Sequence, residues 1–258
     1  MPGTPRTHFN QDIERATALV AHAAAMHPAN PAEVLLRDDL LRSGWMFAVG
    51  AMDAYFCDAY VSLLVKSLRA KSLQSNVALP SFVTKIKVPI GSILAAYANR
   101  PNWRWRMAAR QMMEKDNVLA LDTVRDLFNP FFPPDHKFFS ELIDDWITRP
   151  HATAHIFGIA RAAYLATQNK AREDARKSAS RHFFARFKAI IQRRHDCIHN
   201  CDRPRNVPQP IGNPGSVRNV IRDVKFLVEN SDAHIDHEFG EFLVRINCTA
   251  VTRNALGY

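Results

Sequence analysis

A chain of 258 residues with 47% hydrophobic and 23% charged residues has the apolar material for a substantial core, which excludes wholesale disorder. Nine glycines and little apolar/polar alternation exclude a β architecture and predict an all-α fold. The net charge of +9, from 34 basic and 25 acidic residues, favours a polyanionic partner over a basic one.

Residues 1–9 read as a loose tail, and the opening MPGTPRTHFNQDIERA has no apolar stretch of the kind a signal peptide needs. Alanine-rich periodicity predicts a helix from Asn10 to about His27, with Pro28 and Pro31 beyond it. Pro31 stands near the start of a long helix running to about Lys71. Within it, the stretch from Ser43 to Val65 carries only two charges, Asp53 and Asp58. Two carboxylates near the middle of a membrane span would cost roughly 2.5–3.5 kcal/mol each, so this is read as a buried core helix and no membrane is expected. Residues 72–89 are mixed. Shorter helices are predicted at about 102–115, 117–127, 135–148 and 151–168, with NPFFPPD (129–135) as a break. A second long helix is predicted from about Arg172 to His199. A proline-rich loop follows over 203–216, and two final helices at about 216–230 and 234–246. The expected architecture is one helical domain over 1–258, built on the two long helices, with 72–168 as an inserted or accessory segment.

Charge concentrates at the second long helix. Between Lys170 and Arg205 there are eleven Lys/Arg against four Asp/Glu, a net of +7, which leaves about +2 for the rest. The helix ends Ile190-Ile191-Gln192-Arg193-Arg194-His195-Asp196-Cys197-Ile198-His199. Phe187, Ile190, Ile191, Cys197, Ile198 and Cys201 recur at helical spacing as an apolar stripe, and Arg194 sits on it. A permanent charge there needs a partner. Asp53 and Asp58, isolated among apolar neighbours on the first long helix, are the carboxylates expected to meet it. His195, Asp196 and His199 share the polar face. Arg194 and His199, five positions apart, are separated by roughly 7.5 Å along an ideal helix and about 140° around it. One straight helix therefore does not easily aim both at one phosphate; two copies about a two-fold axis would.

Arg194-His195-Asp196-Cys197-Ile198-His199 resembles the Arg-x4–6-His signature of HEPN domains, with a polar residue directly after the arginine. RRHDCIHNCDR resembles the corresponding segment of the RiboL-PSP-HEPN branch, and the Asp-bearing run Ala51–Asp58 resembles that branch's first long helix. The likeness covers about Leu35–Leu68 and Phe183–Arg205. His195 stands where asparagine is commoner, and Cys197 where isoleucine is. The resemblance implies a HEPN-like helical bundle and a cytoplasmic, metal-independent endoribonuclease without cofactor. It implies a homodimer with a composite site, and a role in antiviral defence or a toxin system with a regulatory or antitoxin protein as partner. His199 is then the general acid or base and Arg194 the stabiliser of transition-state charge, with His195 and Asp196 orienting them or binding phosphate. Asp53 and Asp58 support, and Arg186, Arg193, Arg203 and Arg205 form the RNA track. The alternative is a non-catalytic dimer that binds RNA or a partner protein.

Other patterns compete weakly. Cys197-x-His199-x-Cys201 lacks a second ligand pair for zinc, and the four cysteines suit a reducing compartment. His151-x3-His155 and His234-x2-His237 lack the glutamate of a metalloprotease helix. Trp103-Arg104-Trp105-Arg106 mixes aromatic and basic residues, but an amphipathic helix start accounts for it.

Overall fold

The computed structural model describes residues 4–86, 120–199 and 209–258, and these contain helices and no strands. In chain order the helices are α1 (Pro5–Ala25), α2 (Pro31–Leu73), α3 (Ser81–Thr84), α4 (Leu121–Phe128), α5 (Ile143–Thr148), α6 (Ala154–Phe157), α7 (Arg161–Leu165), α8 (Asn169–His199), α9 (Pro214–Arg245) and α10 (Ala250–Leu256). A 3-10 turn at Asn129–Phe131 follows α4.

The expected tail is mostly helix. Thr4 caps α1 by accepting from the Thr7 N–H at 3.2 Å, and Pro5 occupies the first turn, where its missing N–H costs nothing. Helix α2 matches its predicted length. Its most apolar 18 residues have a mean hydropathy of 1.3, enough by length and composition to cross a membrane, yet 67% of that window is buried inside the protein. The helix predicted over 135–148 shrinks to α5, because Asp135 and Phe139 both adopt left-handed backbone with φ 68°. The helix predicted over 151–168 splits into α6 and α7 at Gly158, with φ +70°, where a Cβ would lie 2.8 Å from the His182 ring. The two final helices are one, α9, and α10 follows it, capped by Thr249. The helix predicted over 102–115 lies outside the described residues, as does the Trp103–Arg106 motif.

The chain divides into two compact units that do not follow the 72–168 boundary. Unit 1 comprises the described residues of Met1–Tyr55 and Phe139–Asn230. Its core is aromatic. Trp146 lies 6.0 Å from Phe183 and 6.2 Å from Phe226, and Phe157 stacks on Phe183 at 6.0 Å. The short helices α5 and α6 pack on α8, and α5 also on α7. Helix α1 approaches α2 so closely that a Cβ on Gly44 would meet Val20 Cγ2 at 2.6 Å. Trp45 of α2 donates its indole N–H to the Ile190 carbonyl of α8 at 3.0 Å, tying those two helices. Unit 2 comprises the described residues of Phe56–Phe138 and Ser231–Tyr258. Its core surrounds Phe131, with Phe82 at 4.9 Å, Phe242 at 5.1 Å and Tyr60 at 5.9 Å. His136 and His234 meet there at 3.2 Å between their Nε2 atoms.

Candidate active site

Helix α8 runs without interruption to His199, so the basic stretch ends on a regular helix terminus in unit 1. The apolar stripe is shorter than its sequence spacing predicts. Phe187, Ile190 and Ile191 are buried, but Cys197 is half-buried and Ile198 is 45% exposed. The helix therefore leaves the core one turn before its end. Arg194 occupies the boundary and is itself half-buried.

Asp53 is the carboxylate that faces this boundary. Burial pushes its carboxyl above the usual carboxylate range, while Arg194 and, to a smaller extent, His195 pull it back down. The expected Asp–Arg bridge is not made. No ion pair joins Asp53 to Arg194, and Asp53 Oδ1 is buried with no hydrogen-bond partner. Arg194 makes no hydrogen bond among the described residues. Asp58 belongs to unit 2, so the two carboxylates expected as equivalent supports fall in different units.

The imidazoles line up beyond Arg194. The rings of His195 and His199 stack with centroids 5.8 Å apart and 18° between their planes. His195 is half-buried and His199 exposed. Asp196 accepts from Gln192 Nε2 at 3.0 Å on the same helix. Asp53, Arg194 and His195 thus form one electrostatically coupled group, and stacking extends it to His199. Within one chain the regular helix keeps Arg194 about 140° around from His199.

Two of the four arginines expected in the RNA track hold partners within the protein. Arg186 does not stand on a free basic face: its Nε and Nη2 donate to Asp223 Oδ2 at 2.9 and 2.8 Å. Asp223 is 1% exposed, and burial raises its carboxyl in spite of Arg186. Arg193 donates to the Gln209 side chain, to the Gln209 carbonyl at 3.1 Å and to the Pro210 carbonyl at 3.2 Å. It holds the chain beyond the helix end, as does Arg42 of α2, which donates to the same Gln209 carbonyl at 3.0 Å. Arg203 and Arg205 lie outside the described residues. Arg42, Trp45 and Gln209 were missed from the sequence, because nothing local to them announces a partner more than a hundred residues away or across a proline-rich loop.

No group of three or more metal-ligating side chains occurs among the described residues. No protein-family model, curated protein or solved structure matches the chain.

Proposed function

We propose that the chain is a metal-independent endoribonuclease of the HEPN kind, acting as a homodimer in the cytoplasm. The observation that carries this reading is Arg194: a half-buried guanidinium electrostatically coupled to half-buried Asp53, with no hydrogen bond of its own among the described residues, and followed along the helix by the stacked imidazoles of half-buried His195 and exposed His199. A guanidinium whose donors no described residue takes up suits a phosphate whose charge grows in the transition state. The helix geometry that parts Arg194 from His199 favours a site completed by a second copy, where one copy's arginine approaches the other's histidine. Exposed Ile198 between the two supplies apolar surface for that contact.

In the proposed reaction an imidazole of His199 removes the proton of an RNA 2′-hydroxyl. The O2′–P bond forms as the P–O5′ bond breaks, and a protonated imidazole returns a proton to O5′. The products are a 2′,3′-cyclic phosphate and a 5′-hydroxyl. Arg194 stabilises the added charge on the phosphoryl oxygens. A role in antiviral defence or as a toxin, with a regulatory protein as partner, follows from the family resemblance alone.

The test is RNA cleavage in EDTA by the wild type, by Arg194→Ala and by His199→Ala, with folding checked by circular dichroism and mass by gel filtration. Cleavage lost by about 10²–10⁴-fold in both variants, with fold and dimer retained, is the expected result. A wild type that cuts no RNA favours the second reading, a non-catalytic dimer that binds RNA or a partner through the same helix end. Loss of cutting on adding EDTA identifies a metal-dependent nuclease.

A further inference from the structure

Unit 1 also contains an open cleft of about 750 Å³, within the range of small-molecule sites. Neither Asp53, Arg194, His195 nor His199 lines it. Its long wall is the first half of α9, where Arg218, Arg222 and Lys225 follow one another at intervals of four and three. They therefore share a helix face and form a cationic ridge about 10 Å long. All three are exposed, and none forms an ion pair with a carboxylate among the described residues. Like charges at these spacings repel by a few tenths of a kcal/mol per pair, so the ridge is a standing cost to the helix unless an anion occupies it.

A further cation of the lining, Arg149, is held in place. Arg149 donates through Nε and Nη2 to Asp145 Oδ2 at 2.9 and 2.5 Å, and through Nη1 to Asn230 Oδ1 of α9 at 2.7 Å. That grip fixes the guanidinium in the lining of the cleft. Two residues on, His151 takes a left-handed φ of 70°, a conformation costly for a residue with a Cβ and concentrated at ligand-binding sites. The one carboxylate in the lining, Glu229, is neutralised by Arg6 at 2.6 Å. Ile221 and Phe226, both buried, give the floor an apolar character.

We propose that this cleft binds a nucleoside polyphosphate. Its phosphates lie along Arg218, Arg222 and Lys225, with Arg149 closing the far side, and its base rests toward Ile221 and Phe226. The volume of the open cleft suits a mononucleotide, and the ridge is long enough for more than one phosphate. The inference does not rest on the ribonuclease reading, since the two sites share no residue.

Titration calorimetry of the full chain in EDTA, with ATP, inorganic triphosphate and a single-stranded RNA 12-mer as probes, tests it. ATP binds saturably, and each of Arg218→Gln and Arg222→Gln weakens it by about tenfold or more. His199→Ala leaves binding unchanged. The thermal midpoints of the ligand-free variants stay at or above wild type, because like-charge repulsion is relieved. Absence of saturable ATP binding at millimolar concentration overturns the proposal. So does ATP affinity indifferent to both substitutions, RNA binding without ATP binding, or inorganic triphosphate binding as tightly as ATP.

Discussion

Replacing Arg186 by methionine tests whether this arginine serves the fold or the basic face of α8. The substitution removes two charge-assisted hydrogen bonds, at 2.9 and 2.8 Å, from a carboxylate that is 1% exposed. An uncompensated buried charge of this kind costs about 3–5 kcal/mol. At about 2–4 °C per kcal/mol for a chain of this size, the thermal midpoint falls by on the order of 10 °C. The loss depends on pH in a definite sense. Burial already holds the Asp223 carboxyl above its unfolded value, and without the guanidinium it rises further. A carboxyl raised by folding favours the native state below its unfolded value and loses that advantage as pH rises through the folded value. The deficit of Arg186→Met is therefore largest near neutrality and shrinks as acid protonates Asp223. The double variant Arg186→Met/Asp223→Asn recovers most of it, because no charge is left unpaired. Urea denaturation of the wild type, both single variants and the double variant, at about pH 5 and about pH 8, reads the cycle. A cost below about 1 kcal/mol, as for an exposed pair, or a deficit independent of pH, refutes the assignment and returns Arg186 to the RNA-facing surface.

Two further substitutions probe the frame of the candidate site. Asp53→Asn removes a carboxylate that burial holds above its usual range. Its folded value exceeds its unfolded one, so the wild type loses stability as pH climbs from about 4 through that raised value, whereas the asparagine variant does not. Denaturation at neutral pH then finds the variant at least as stable as wild type, and a less stable variant contradicts the burial argument. Gly44→Ala places a Cβ 2.6 Å from Val20 Cγ2 and 3.3 Å from the Ala16 carbonyl. The clash costs about 1–3 kcal/mol, more than the gain of up to about 1 kcal/mol in helix propensity, and a lowered thermal midpoint is the expected measurement.

The long elements were legible because their signals are redundant. In α2, apolar residues recur on nearly every face, Pro31 marks the start, and the two mid-helix aspartates distinguish a core helix from a membrane span. The errors fall where backbone geometry overrides pattern. Asp135 and Phe139 break a plausible helix by adopting φ 68°, and neither is a glycine that would have announced it. The break expected between helices at 216–230 and 234–246 is absent, and α9 passes through Asn230-Ser231-Asp232. Asn230 folds its side chain back onto the Phe226 carbonyl at 2.7 Å, and Ser231 is fully buried. Thr4 and Pro5 do carry a capping signal, and it was legible in principle; reading the first nine residues as a tail overlooked it.

The site was legible as chemistry but not as bookkeeping of partners. A charge on an apolar stripe predicts a bridge from Arg194 to an acid of α2; Asp53 is electrostatically coupled to Arg194, but the bridge is not made. What sequence spacing cannot supply is how each guanidinium spends its five donors. Arg186 finds Asp223, 37 residues away on another helix. Arg193 binds the chain at Gln209 and Pro210. Arg194, one position later, faces a carboxylate it does not hydrogen-bond, while an oxygen of that carboxylate is also left unpartnered. Of these three arginines, then, two have donors occupied by the protein's own oxygens among the described residues and one does not. An incoming phosphate at Arg194 displaces no hydrogen bond made among the described residues, whereas at Arg186 it would have to strip a buried carboxylate. That difference in cost favours Arg194 over Arg186 as a place for a phosphate on this helix.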